Sequence, residues 1–130
     1  MENILWHGSP VKVDRLIPNQ ACDIGYKEGC RFAVYATSSR NMAICFAMGC
    51  VENDPGSGKK ASRTMMPEYG EKMVFEGCHP NYGAKGYLYK LDASDFVHAM
   101  GTQWTCFKEV TPLEIIEINV DEYLELCIVI

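Results

Sequence analysis

The clearest helical period in the chain lies at residues 39 to 49, where Met42, Ala43, Phe46 and Ala47 recur at the spacing of one helical face. Ser38 and Ser39 offer that helix an N-cap, and Gly49 stands where it should stop. The other ordered stretches are short runs of β-branched and aromatic residues bounded by Gly, Pro, Asn and Asp, which is the pattern of strands. Strands are expected over residues 3 to 7, Phe32 to Thr37, Lys72 to Glu76, 86 to 91, Trp104 to Val110 and Leu113 to Val120. Pro112 breaks the last two apart because it has no N–H to give a ladder. The apolar ending Leu126 to Ile130 would be hazardous as an open edge, so it is expected to pair as a last strand or docked tail. A chain patterned in this way is expected to fold as an α+β domain dominated by strands, with one or two helices.

A length of 130 residues fits a single domain over 1–130, and a 48% hydrophobic fraction gives it enough apolar area for a core. The net charge of −5 repels a phosphate backbone. Arg31, Lys59, Lys60 and Arg63 are too sparse to offset that field, so a general nucleic-acid surface is not expected. No apolar run approaches the roughly 18 residues of a membrane span, and no charged-then-apolar leader opens the sequence. A cytoplasmic protein without a membrane partner is the expectation. The cysteines at 22, 30, 45, 50, 78, 106 and 127 form an odd set without any C-x-x-C pair, which favours free thiols over disulfides and argues against a metal site. Residues 51–85 contain the turn Asp54-Pro55-Gly56-Ser57-Gly58 and read as a long insertion or loop region, either a lid, a surface for a macromolecular target, or a solvated loop.

Three strand tips carry residues that burial does not ask for. Ile4, Leu5 and Trp6 run straight into His7-Gly8-Ser9; a second strand ends in Tyr35-Ala36-Thr37-Ser38; a third begins at Thr102-Gln103-Trp104. Taken singly, each reads as structural: a satisfied strand histidine, a core tyrosine, a polar edge glutamine. Strand ends are also where a sheet presents side chains to a cleft.

In their order along the chain these blocks resemble the ADP-ribosyltransferase superfamily, in particular the diphtheria-toxin-like branch with the poly(ADP-ribose) polymerases and the small bacterial rifampin ADP-ribosyltransferases. Leu5-Trp6-His7-Gly8-Ser9 fits the family's first strand, Val34-Tyr35-Ala36-Thr37 with the Ala43 and Ala47 helix its second block, and GYLYKLD and TPLEIIEINV its closing strands. The resemblance implies a small split antiparallel β-sheet and NAD as co-substrate. It implies a mono-ADP-ribosyltransferase that cleaves the nicotinamide–ribose bond and passes ADP-ribose to an unspecified acceptor. His7 would bond the adenosine ribose, and Gly8, lacking a Cβ, would let the backbone approach the nicotinamide amide. Ser9 would hold the turn, and Tyr35 would lie against the nicotinamide with Phe46 as a second wall. Gln103 occupies the catalytic position where the polymerases carry Glu, with Asp95, Glu109 and Glu114 as the carboxylates near enough in sequence to substitute. The alternative is a catalytically weak or inactive module that keeps the pocket and binds NAD, ADP-ribose or a related nucleotide.

Overall fold

The computed structural model describes residues 3–20, 32–58, 61–65 and 72–130. Most of the expected 18 to 29 loop, and Arg31, Cys22, Cys30, Lys59 and Lys60, lie outside them. The strands, in order, are β1 (Ile4–Ser9), β2 (Asn19–Gln20), β3 (Phe32–Thr37), β4 (Val51–Glu52), β5 (Ser62–Met65), β6 (Met73–Glu76), β7 (Cys78–His79), β8 (Lys85–Asp92), β9 (Val97–Met100), β10 (Gln103–Cys106), β11 (Glu114–Asn119) and β12 (Cys127–Val129), and helix α1 (Arg40–Ala47) follows β3. Short 3₁₀ segments cover Ala93–Asp95 and Val120–Leu126. The protein is therefore a small α+β domain of mostly antiparallel sheets.

The main sheet has the order β11-β8-β1-β3-β10-β9, with β2 beside the start of β3. Its pairing is uneven. β1 and β8 are in register for six residue pairs, from Ile4↔Asp92 to Ser9↔Tyr87, whereas β1 meets β3 through Trp6↔Thr37 alone. The sheet is thus two antiparallel halves joined at one point.

Alternation sorts the apolar side chains into two layers. Leu5, Val34, Ala36, Tyr89, Leu91 and Cys106 form a core on one face, and Trp104 packs against it. On the other face α1 contributes Ala43, Ile44, Ala47 and Met48 to a second core with Leu88, Ile118 and Val120. The helix lies flush on the sheet because two strand positions have no side chain. A Cβ at Gly8 would land on the Ala43 carbonyl, and one at Gly86 on that of Ala47. The helix is shorter than the expected 39 to 49: Ser39 caps it by accepting from the Met42 N–H, and Gly49, at φ +75°, takes the chain out of it.

The segment 51–85, read from sequence as a long insertion or loop region with one strand at Lys72 to Glu76, contains four strands among its described residues. β5 pairs with β6 antiparallel, and β6 pairs in parallel with β12, so the apolar tail closes onto the inserted segment as an edge strand of a three-stranded sheet. β4 pairs with β7. A third core of Cys45, Met73, Phe75 and Cys78 joins this layer to the back of α1. The strand expected at Lys72 to Glu76 is present as β6, whereas β4, β5 and β7 were missed because strands of two to four residues do not complete enough periods to be told from loop. The expected Trp104 to Val110 strand ends at Cys106, and Val110 pairs instead with Leu16 in an isolated bridge. Cys45, Cys50, Cys78, Cys106 and Cys127 are free thiols.

Because the Gly8 position faces helix backbone, which has no rotamer to escape by, Gly8→Ala is expected to destabilise the fold by at least about 2 kcal/mol. Urea denaturation checks this, with a fall in midpoint at unchanged slope as the expected outcome.

Candidate functional site

In an antiparallel ladder, alternate residues direct both backbone polar groups to the same neighbour. The Ala93 N–H donates to the Asn3 carbonyl at 2.9 Å, one step beyond the Ile4↔Asp92 pair, so the odd-numbered residues of β1 bond to β8. Trp6 and Gly8 consequently aim their N–H and C=O toward β3. By the same argument the Ser38 N–H donating to the Thr102 carbonyl at 3.0 Å sets the even residues of β3 against β10, which leaves Tyr35 and Thr37 aimed toward β1. Trp6 and Thr37 complete their pair. The next pair would be Gly8 with Tyr35, and there the ladder opens.

His7 occupies the opening. Its Nδ1 lies 2.6 Å from the Tyr35 carbonyl oxygen. A carbonyl accepts, so Nδ1 carries the proton. Burial pushes the His7 pKa below the ordinary 6.5, with the hydrogen bond to Tyr35 opposing that in part. The ring is therefore neutral near pH 7 and its Nε2 presents a lone pair. Tyr89, fully buried beneath it, meets the imidazole edge-on with centroids 5.8 Å apart. The Tyr89 hydroxyl donates to the Val11 carbonyl and accepts from the Val13 N–H, each at 2.8 Å, which ties the loop after β1 across the sheet. The Ser9 Oγ accepts from the Val11 N–H at 3.1 Å.

Tyr35 lies between Val34 and Ala36 of the first core, so alternation sends its phenol to the α1 side, opposite the face that carries the His7 ring. The two residues thus meet through the Tyr35 backbone alone, and their rings lie on opposite faces of the sheet, not together on one side as a crevice shared by the strand tips would place them. Gln103 is opposite Thr37 and Thr105 opposite Tyr35, so Tyr35, Thr37 and Gln103 share the α1 face of the β3–β10 half. The Met42 sulfur takes hydroxyls from Thr37 at 3.8 Å and Thr102 at 3.7 Å, which brings the Met42 and Phe46 side of α1 to that face. Phe46 is 37% exposed. His7, Gly8, Ser9, Tyr35 and Gln103 are all half-buried, open to solvent in part.

The role expected of the missing Cβ at Gly8 changes. Its absence serves the contact with α1, and it is the opening of the ladder that leaves the Gly8 N–H and C=O aimed at β3 beyond the last pair of that ladder. The carboxylates considered as substitutes stand elsewhere. Asp95 pairs with Lys108 at 3.2 Å and Glu109 with Arg15 at 2.7 Å, while Glu114 faces Lys90 on β11, four strands from β10. Among the described residues no cluster of three or more His, Cys, Asp or Glu side chains gathers as metal ligands. No described helix is long and apolar enough to cross a membrane. Tyr89 and Met42, which buttress the site, were beyond the reach of sequence: their contacts run 76 and 60 residues along the chain.

Fold and site together define a small α+β domain whose main sheet is two half-sheets joined at the Trp6↔Thr37 pair. No family model, curated protein or solved structure matches the chain.

A histidine whose folded pKa is lowered favours the native state while neutral. Stability from His7 is complete above the unfolded value of 6.5 and is lost as pH falls through and below it, because the unfolded chain then binds the extra proton. The expected slope is at most about 1.4 kcal/mol per pH unit. Denaturation profiles between pH 7.5 and 5 should flatten in His7→Gln relative to wild type.

Proposed function

We propose that the split cleft takes NAD and that the protein is a mono-ADP-ribosyltransferase of low intrinsic rate. The observation that carries this reading is the ladder opening at Gly8, held by a neutral His7. It supplies three kinds of recognition at once. The Gly8 N–H and C=O suit the carboxamide of nicotinamide, which needs one donor and one acceptor. The Nε2 lone pair of His7 suits a ribose hydroxyl. The Tyr35 and Phe46 rings on the α1 side suit a flat heteroaromatic ring. The family resemblance of the first two sequence blocks points to the same ligand.

In the reaction the bond between ribose C1′ and the nicotinamide nitrogen breaks, and its electron pair leaves with nicotinamide. Positive charge develops on the ribose, as in glycoside hydrolysis. The acceptor's nucleophilic atom then bonds C1′ and releases its proton. Gln103, on the face shared with Tyr35, accepts the ribose hydroxyl through its amide oxygen and so orients the sugar. It offers a dipole where a carboxylate would offer a full charge, a difference of about 3 kcal/mol in transition-state stabilisation. Polymer formation is not expected of such a site.

A binding-only module is the second reading, and one observation favours it: Asp95, Glu109 and Glu114 all lie away from Gln103. Calorimetry with NAD and with ADP-ribose, beside chromatography of released nicotinamide, separates the two. The expected result is binding of both ligands, slow nicotinamide release, and a rise of about 100-fold in that release for Gln103→Glu. Binding without any release in wild type or Gln103→Glu would select the second reading. If neither ligand binds, both readings fail.

A further inference from the structure

Phe46 is one wall of the proposed nicotinamide site, and what steadies it comes from the inserted segment. Arg63, on β5, places its guanidinium 5.0 Å from the centroid of the Phe46 ring. The Arg63 Nη1 also donates to the Phe46 carbonyl at 3.4 Å and to the Gly49 carbonyl at 3.3 Å. Those carbonyls lie at the C-terminal end of α1, where a helix runs out of its own donors. Arg63 reaches them because its ladder partner on β6 is Phe75, a fully buried residue of the core behind α1, so both side chains stand on the helix side of that sheet. Among the described ion pairs none involves Arg63. Its cation is directed to a ring and to the backbone of the same turn.

We infer that Arg63 is a positioning residue which fixes the Phe46 ring, so that β5 governs the hold on the nicotinamide end of NAD and leaves the ADP-ribose end untouched. This deepens the proposed function and rests on it. A guanidinium set over the ring and bonded to the carbonyl of the same residue restrains both the helix end and the side-chain torsions of Phe46. A wall held in place before the ligand arrives loses less freedom when nicotinamide stacks on it. Lysine at this position keeps the charge and loses the plane.

The test compares wild type, Arg63→Leu, Arg63→Lys, Phe46→Ala and the Arg63→Leu/Phe46→Ala double variant by calorimetry, each with NAD and with ADP-ribose, which lacks the nicotinamide ring. Arg63→Leu is expected to weaken NAD about 10-fold and to leave ADP-ribose within about two-fold of wild type. Arg63→Lys is expected to fall between, and Phe46→Ala to weaken NAD by itself and to abolish any further effect of Arg63→Leu. A merely structural arginine would shift both ligands together or neither, and either outcome overturns the inference. So does a loss of NAD affinity on Arg63→Leu that persists without Phe46. Should Arg63→Leu unfold, Arg63→Lys carries the same comparison between ligands. A wild type that binds ADP-ribose and NAD equally, with Phe46→Ala silent, also overturns it while sparing the cleft; a wild type that binds neither ends the reading of the cleft and this inference with it.

Discussion

The hydrogen bond from the His7 imidazole to the Tyr35 carbonyl holds the two halves of the main sheet at the point where their ladder stops. A buried carbonyl at an interrupted ladder needs a donor, and the obvious donor would be the facing N–H of Gly8. By supplying that donor from a side chain, the protein keeps the Tyr35 carbonyl satisfied while the strands separate. The exchange has two consequences. It fixes the imidazole in one tautomer, and it releases the Gly8 backbone from service in the sheet. A structural need and the proposed recognition surface thus meet in one bond.

The opening survives because it is braced from both sides. Beneath His7, Tyr89 anchors the following loop through both its donor and its acceptor capacity. Above Gly8, α1 rests directly on the strand, and Thr37 links the end of β3 to the start of that helix: its hydroxyl accepts from the Ser39 N–H at 3.0 Å and reaches the Met42 sulfur. The layer built from β5, β6 and β12 then presses on the back of the helix. The split is therefore braced by a core on each face, with Leu5, Val34 and Tyr89 on one and Ala43, Ala47 and Leu88 on the other.

How much of this was legible in the sequence depends on the range of the interaction. FAVYAT announces its strand to the residue, since six residues of alternating β-formers complete three periods. Ser39 and Gly49 announce both ends of α1, because caps act over three or four residues. The strand tips at His7, Tyr35 and Gln103 were legible as unusual. Their relation was not, because the register that sends the Tyr35 ring one way and the His7 ring the other is set by pairings between β1, β3, β8 and β10. Arg63 read as one member of a weak basic cluster, since nothing local to Ser62-Arg63-Thr64-Met65 says that the next strand carries Phe75 opposite it.

Charge connects the geometry to the rate expected of such a site. The named groups around the split are neutral: an imidazole in its uncharged form, backbone amides, a phenol and a primary amide. Neutral dipoles hold the hydroxyls and carboxamide of a dinucleotide nearly as well before bond breaking as during it. Interactions of equal strength in ground and transition states tighten binding without speeding chemistry. The cation proposed to develop on the ribose would find oriented oxygen atoms but none of the three carboxylates considered, since Glu109 pairs with Arg15, Asp95 with Lys108, and Glu114 stands on β11. If the site takes NAD as proposed, it would favour retention of the dinucleotide over turnover, so any substantial rate would have to draw its negative charge from the acceptor.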